Sequence, residues 1–88
     1  MKTEFRASFA RDLKVIKDKH LLSHIRAAIE DVERAPTLGH VAGLQKLKGG
    51  GNYFRMRIGE YRVGLAISGD TVSFVRCLHR KEIYRYFP

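Results

Sequence analysis

Arg55, Arg57 and Arg62 fall at alternating positions of two strand-like segments, and further along the chain runs His79-Arg80-Lys81-Glu82-Ile83-Tyr84. Residues two apart in a strand share a face, so such arginines would emerge together and hold the spread negative charge of a phosphate. A histidine can take or give a proton near neutral pH. A tyrosine on a basic surface can stack on a base or hydrogen-bond a ribose hydroxyl. From Leu44 to Pro88 nine basic residues stand against Glu60, Asp70 and Glu82. The excess points to a polyanionic partner, and at this size to a nucleic acid. A charged outer face is also what any half-buried sheet shows; here the shortage of acidic residues favours a ligand, because structural faces mix signs.

Other chemistry is poorly supported. His20 and His24 have a helix-compatible spacing, but no Asp or Glu completes a metal site around them or around His40, so no metal and no cofactor are expected. Cys77 is the single cysteine and lies in an apolar run, which excludes an intrachain disulfide and fits a reducing cytosol. Gly49-Gly50-Gly51 is followed by neither Lys-Ser nor Lys-Thr and reads as a flexible connection, not a phosphate loop. No stretch reaches the roughly 20 apolar residues of a membrane span and no signal pattern opens the chain, so a cytoplasmic protein without a membrane partner is expected.

These residues need a scaffold, and 88 residues suit one domain, 1–88, with a shallow surface site. Thr3 to Ala7 suits a first strand, after which Ser8 is placed to cap a helix carrying Phe9, Leu13 and Ile16. Beyond an Asp18-Lys19-His20 break, Leu22, Ile25, Ile29 and Val32 recur at three, four and three, predicting a second amphipathic helix that Pro36 stops. Thr37 to Gly51 reads as an irregular connection. Tyr53 to Ile58 and Tyr61 to Ile67 alternate with period two across a Gly59-Glu60 turn. Ser68-Gly69-Asp70 leads into a last strand from Val72 to about Leu78, where both Val72-Phe74-Leu78 and Val75-Cys77 are apolar, as in a strand covered on both sides. The predicted class is α+β: an N-terminal strand, a two-helix hairpin, a three-stranded antiparallel meander, and a short C-terminal helix or tail.

Leu47-Lys48-Gly49, Tyr53-Phe54-Arg55-Met56-Arg57-Ile58, Glu60-Tyr61-Arg62-Val63 and His79-Arg80-Lys81-Glu82-Ile83-Tyr84, in that order, resemble the RelE/ParE family of bacterial and archaeal toxins. The resemblance covers nearly the whole chain. It implies a small sheet with helices on one side and a cognate antitoxin that silences the toxin in a hetero-oligomer. The RelE branch cleaves messenger RNA in the ribosomal A site without a metal; the ParE branch binds and poisons DNA gyrase, the alternative function. Carried over by motif, the RelE-type site falls on Arg55, Arg57, Arg62, Arg80 or Lys81, and Tyr84. The best studied branch has lysines where this chain has Arg55 and Arg57, and an arginine loses its proton less readily, so His79 is the substitute candidate for the base. Lys46, Lys48, Lys81 and Arg85 are further expected RNA contacts, and Lys14, Lys17 and Lys19 would meet ribosomal RNA.

Overall fold

The computed structural model describes residues 1–49 and 51–88. Its centre is the expected meander: β3 (Tyr53–Ile58), β4 (Tyr61–Ser68) and β5 (Thr71–His79), each antiparallel to the next. Two strands extend it. β1 (Lys2–Phe5) runs parallel to β5, and β2 (Leu44–Lys46) pairs antiparallel with β3, giving the order β1-β5-β4-β3-β2. The stretch read as irregular thus holds a three-residue strand and a 3-10 turn at Leu38–His40. Neither is long enough to show a period. Gly49 and Gly51 adopt left-handed φ values of 100° and 77°, and Gly50 lies outside the described residues.

Helices α1 (Ala7–Lys14) and α2 (Lys19–Arg34) cover one face. Phe9, Ile25 and Val32 bury there against Met56, Val63, Leu65, Val72 and Phe74, as the helical and alternating periods require. Asp18 caps α2, accepting from the amides of His20 and Leu21 at 2.9 and 3.1 Å, so the polar break begins the helix. Ala35 is extended, as a residue before proline must be, and there α2 ends. The first strand ends sooner than expected, and α1 starts at Ala7 without a side-chain cap and stops at Lys14, leaving Ile16 buried just beyond it. Ser8 does not cap. Its hydroxyl donates to the Val75 carbonyl at 2.6 Å.

That bond lies at an irregularity in β5. Leu65 pairs with Phe74 but Gly64 with Arg76, so Val75 is an extra residue that reverses the facing of everything after it. Val72 and Phe74 face the core before it and Cys77 after it, while Leu78 turns outward, which accounts for the double apolar phase of this strand. Beyond Phe74 the outer edge of β5 has lost its partner strand, and α1 takes over. Asp12 accepts the Cys77 amide at 2.9 Å and binds Arg76 through Nε at 2.8 Å and Nη2 at 3.1 Å. Among the described residues no helix is long and apolar enough to cross a membrane.

Candidate active site

The face of the sheet away from α1 and α2 carries the arginines. Arg57 and Arg62 are direct cross-strand partners on β3 and β4, and the neighbouring row pairs Arg55 with Gly64 and Gly64 with Arg76. Side chains directly opposite stand about 4.5–5.5 Å apart at Cβ, and like charges so placed repel. Arg57 is exposed and, among the described residues, makes no side-chain hydrogen bond or ion pair. Arg62 donates through Nη1 to the carbonyls of Gly59 and Tyr61, 2.9 Å each, which aims its guanidinium at the β3–β4 turn without cancelling its charge. Arg55 donates to Gln45 on β2 at 3.3 Å.

Arg80 reaches the same turn, where its Nε lies 2.7 Å from the Glu60 carboxylate and its amide donates to the Glu60 carbonyl at 2.8 Å. Both side chains of this pair are more than half exposed, so the pairing is worth at most about 1 kcal/mol and leaves Arg80 available to a stronger anion. Arg76, by contrast, is committed to Asp12, whose hydrogen bonding raises its pKa above the usual guanidinium value. The acidic residue that neutralises it comes from α1, 64 positions away, and not from the strands.

A C-terminal one-turn helix, α3 (Ile83–Tyr86), brings Tyr84 to this face. The Arg55 guanidinium carbon lies 4.8 Å from the centre of the Tyr84 ring, and that of Arg76 lies 5.5 Å from the Tyr86 ring. Arg55 therefore joins two groups singled out from the sequence, while α3 also hides part of the face expected to be open. Phe87 is buried against Gly64 and stands edge-on to Tyr53, with ring centres 5.6 Å apart. Sequence reasoning passed over Gly64 and Phe87; a glycine inside an alternating strand is the available signal, since it marks close approach.

His79 lies apart. It pairs with Tyr61 on the helix-side face of the sheet, its ring edge-on to that of Tyr61 with centres 5.7 Å apart. Its Nδ1 accepts the Lys81 amide at 3.2 Å, so in the neutral ring the proton sits on Nε2, which can donate but not accept. The expected lysines surround the site unevenly. Lys46, Lys48, Lys81 and Arg85 are exposed at the β2 edge or the C-terminal segment, whereas Lys14, Lys17 and Lys19 are exposed on the helix layer. Among the described residues no group of three or more His, Cys, Asp or Glu is placed to hold a metal ion.

Comparison with known proteins agrees with this architecture. Residues 3–84 match the family model described as the ParE toxin of the type II toxin-antitoxin system parDE. Toxin RelE3 of Methanocaldococcus jannaschii is 42% identical over 89 aligned positions, covering the whole of both chains. Among solved structures, the RelB-RelE antitoxin-toxin complex from Methanococcus jannaschii superposes with a TM-score of 0.82 at 40% identity, over 97% of this chain and 99% of that one. The toxin-antitoxin complex RelBE2 of Mycobacterium tuberculosis gives 0.69 at 26% identity, over 90% of each chain. The chain belongs to the RelE/ParE superfamily, the toxins of type II toxin-antitoxin systems.

Proposed function

We propose that the arginine face is the active site of a ribosome-dependent endoribonuclease that cleaves messenger RNA and so stops translation. The observation that carries this reading is the Arg57–Arg62 pair, two cationic side chains held opposite each other with no carboxylate paired to either among the described residues. Such a pair gains when a phosphate enters. The ribose 2′-hydroxyl gives its proton to solvent water as it attacks the adjacent phosphorus and closes a 2′,3′-cyclic phosphate. The bond to the 5′-oxygen breaks and that oxygen takes up a proton from water, and the charge that builds on the phosphoryl oxygens is met by Arg57 and Arg62. Each well-placed donor contributes about 2.7–4 kcal/mol by analogy with oxyanion sites. Arg80 and Lys81 extend the positive edge, Tyr84 stacks on or orients the nucleotide, and Arg55 holds Tyr84. His79, the expected base, stands on the helix-side face beside Tyr61 with Nδ1 taken by the Lys81 amide, so it carries no proton in this scheme.

The site is shallow, and a surface of this kind does not align a flexible strand unaided. The ribosome supplies the alignment, with Lys46, Lys48 and Arg85 along the messenger RNA path and Lys14, Lys17 and Lys19 toward ribosomal RNA. No metal takes part, and a cognate antitoxin masks the face in a toxin-antitoxin complex within the cytoplasm. Similarity to a RelE toxin at 42% identity supports this over gyrase inhibition. The test is cell-free translation with purified protein, mapping of messenger RNA ends, and a supercoiling assay in parallel. New ends within translated codons are expected. Inhibited supercoiling with intact messenger RNA would replace the proposal with gyrase binding.

A further inference from the structure

Gly64 sits in the middle of β4, beside the point where the extra residue of the partner strand β5 shifts the register, and its own φ is not left-handed, so no turn or strained backbone calls for a glycine there. A glycine in a strand interior costs about 0.5–1 kcal/mol relative to alanine, so its presence needs a tertiary reason. The reason is Phe87. A Cβ on residue 64 would lie 2.7–2.8 Å from Cγ, Cδ1 and Cδ2 of the Phe87 ring, a distance at which the whole ring must move. The ring rests on the bare backbone, 6% exposed, with Tyr53 edge-on beside it.

This seat bears on the neighbouring tyrosine. Tyr84 is 72% exposed on a helix of four residues, far too short to hold itself in water. Two buried anchors flank it, Ile83 at 1% exposure and Phe87, and the Phe87 amide donates to the Ile83 carbonyl at 2.9 Å, closing the turn around Tyr84. Gly64 is the cross-strand partner of Arg55, so the anchor lies beside the arginine against which Tyr84 rests. We propose that Phe87, seated on Gly64, is a positioning residue that fixes Tyr84 against the Arg55 guanidinium and thereby sets the nucleotide-orienting group of the site. The functional half of this rests on the RNA-cleavage reading; the structural half does not.

Two readouts separate them. The first needs no activity. In the wild-type protein the Tyr84 ring, 4.8 Å from the Arg55 guanidinium carbon, is expected to shift the Arg55 side-chain proton resonances upfield relative to Tyr84→Ala. Phe87→Ala and Gly64→Ala are each expected to remove that shift while the methyl resonances of Val63 and Leu65 stay in place. The three atoms nearest a methyl at 64 all belong to that ring, so adding Gly64→Ala to Phe87→Ala should not lower the melting temperature further. Phe87→Leu serves where Phe87→Ala fails to melt cooperatively. The second readout is ribosome-dependent cleavage. Phe87→Ala should lose roughly 10- to 100-fold in kcat, as misplacement of an orienting group by about 1 Å does. Combined with Tyr84→Ala it should cost no more than Tyr84→Ala alone, because both remove one function. Loss of the Arg55 shift in both variants, with no cleavage by the wild-type protein, would leave the seat standing and remove the nuclease reading. An Arg55 shift retained in Phe87→Ala and Gly64→Ala, or additive losses in the double variant, would overturn the positioning role.

Discussion

Arg57 and Arg62 face each other and, among the described residues, neither is paired with a carboxylate, an arrangement that costs folding energy and that a bound phosphate would relieve. Truncating either should therefore hurt activity and spare the fold. Arg57→Ala and Arg62→Ala are each expected to lose roughly 10²- to 10³-fold in messenger RNA cleavage, the cost of one oxyanion-type donor. Their melting temperatures should match or slightly exceed wild type, because a directly opposed like-charge pair destabilises by about 0.2–1 kcal/mol. A folded double variant with full toxicity in growth assays would remove both residues from the site. His79→Gln provides the contrast: on the far side of the sheet with Nδ1 already engaged, it should lose far less than either arginine variant. Cys77 illustrates the opposite situation, a group kept out of the chemistry. Burial, with the nearby Asp12 carboxylate adding to it, pushes its thiol from 9.0 up to about 12. The folded protein should resist thiol alkylation at neutral pH while the urea-unfolded chain reacts freely. Since the raised value favours the protonated form in the folded state, this stabilisation is complete below pH 9 and is lost as pH rises toward 12. The pH dependence of alkaline unfolding should differ between wild type and Cys77→Ala in that window, and identical dependence would mean that folding does not raise the thiol.

Elements join here through two devices, the extra residue at Val75 in β5 and the carboxylate of Asp12 on α1. Once β1 ends at Phe5, the edge of β5 would expose its amides, and α1 meets that edge with Ser8 and Asp12. Asp12→Ala leaves the Cys77 amide and the Arg76 guanidinium without their acceptor. Urea unfolding should show a loss of about 2–4 kcal/mol, below the full cost of breaking a buried pair because Arg76 is a quarter exposed. Asp12→Asn can still accept one bond and should lose less. An unchanged midpoint for Asp12→Ala would show that water replaces the carboxylate at this edge. This junction also marks where the sequence ceases to be readable. The second helix and strands β3 and β4 follow from strict periods of apolar residues, and the arginine face follows with them. Pairing between Asp12 and Arg76 spans 64 positions and leaves no local trace. The same holds for β2, with three residues and no alternation, and for Phe87, whose place over Gly64 depends on how the C-terminal segment folds back. The facing of His79 is hidden for the same reason: the extra residue at Val75 reverses the facing of the residues after it, and pairing alone reveals that.

Across the whole molecule the formal charge is +8, with most of it on the sheet-bearing half, and a surface of that sign attracts any polyanion in the cell. A toxin with such a face needs a partner that finds it fast and covers it. The cognate antitoxin is expected to carry an acidic or amphipathic segment that lies along the helices and reaches Arg55, Arg57 and Arg62. An extended segment that folds on binding can wrap a domain 32 × 28 × 22 Å across and cover more of it than a rigid partner of equal length. Attraction between exposed charges fades over a Debye length of about 8 Å at physiological salt and about 3 Å at 1 M. The association rate of toxin with antitoxin should consequently fall by roughly 10- to 100-fold from low salt to 1 M, while the dissociation rate, governed by packed contacts, changes much less. Arg55→Gln, Arg57→Gln and Arg62→Gln combined should flatten that salt dependence and leave the complex able to form. The measurement is stopped-flow binding with wild type and the triple variant across a salt series. A wild-type rate indifferent to salt, or a triple variant with the wild-type slope, would show that the antitoxin docks without reading the arginine face, and that neutralisation of this toxin works by some route other than covering its charge.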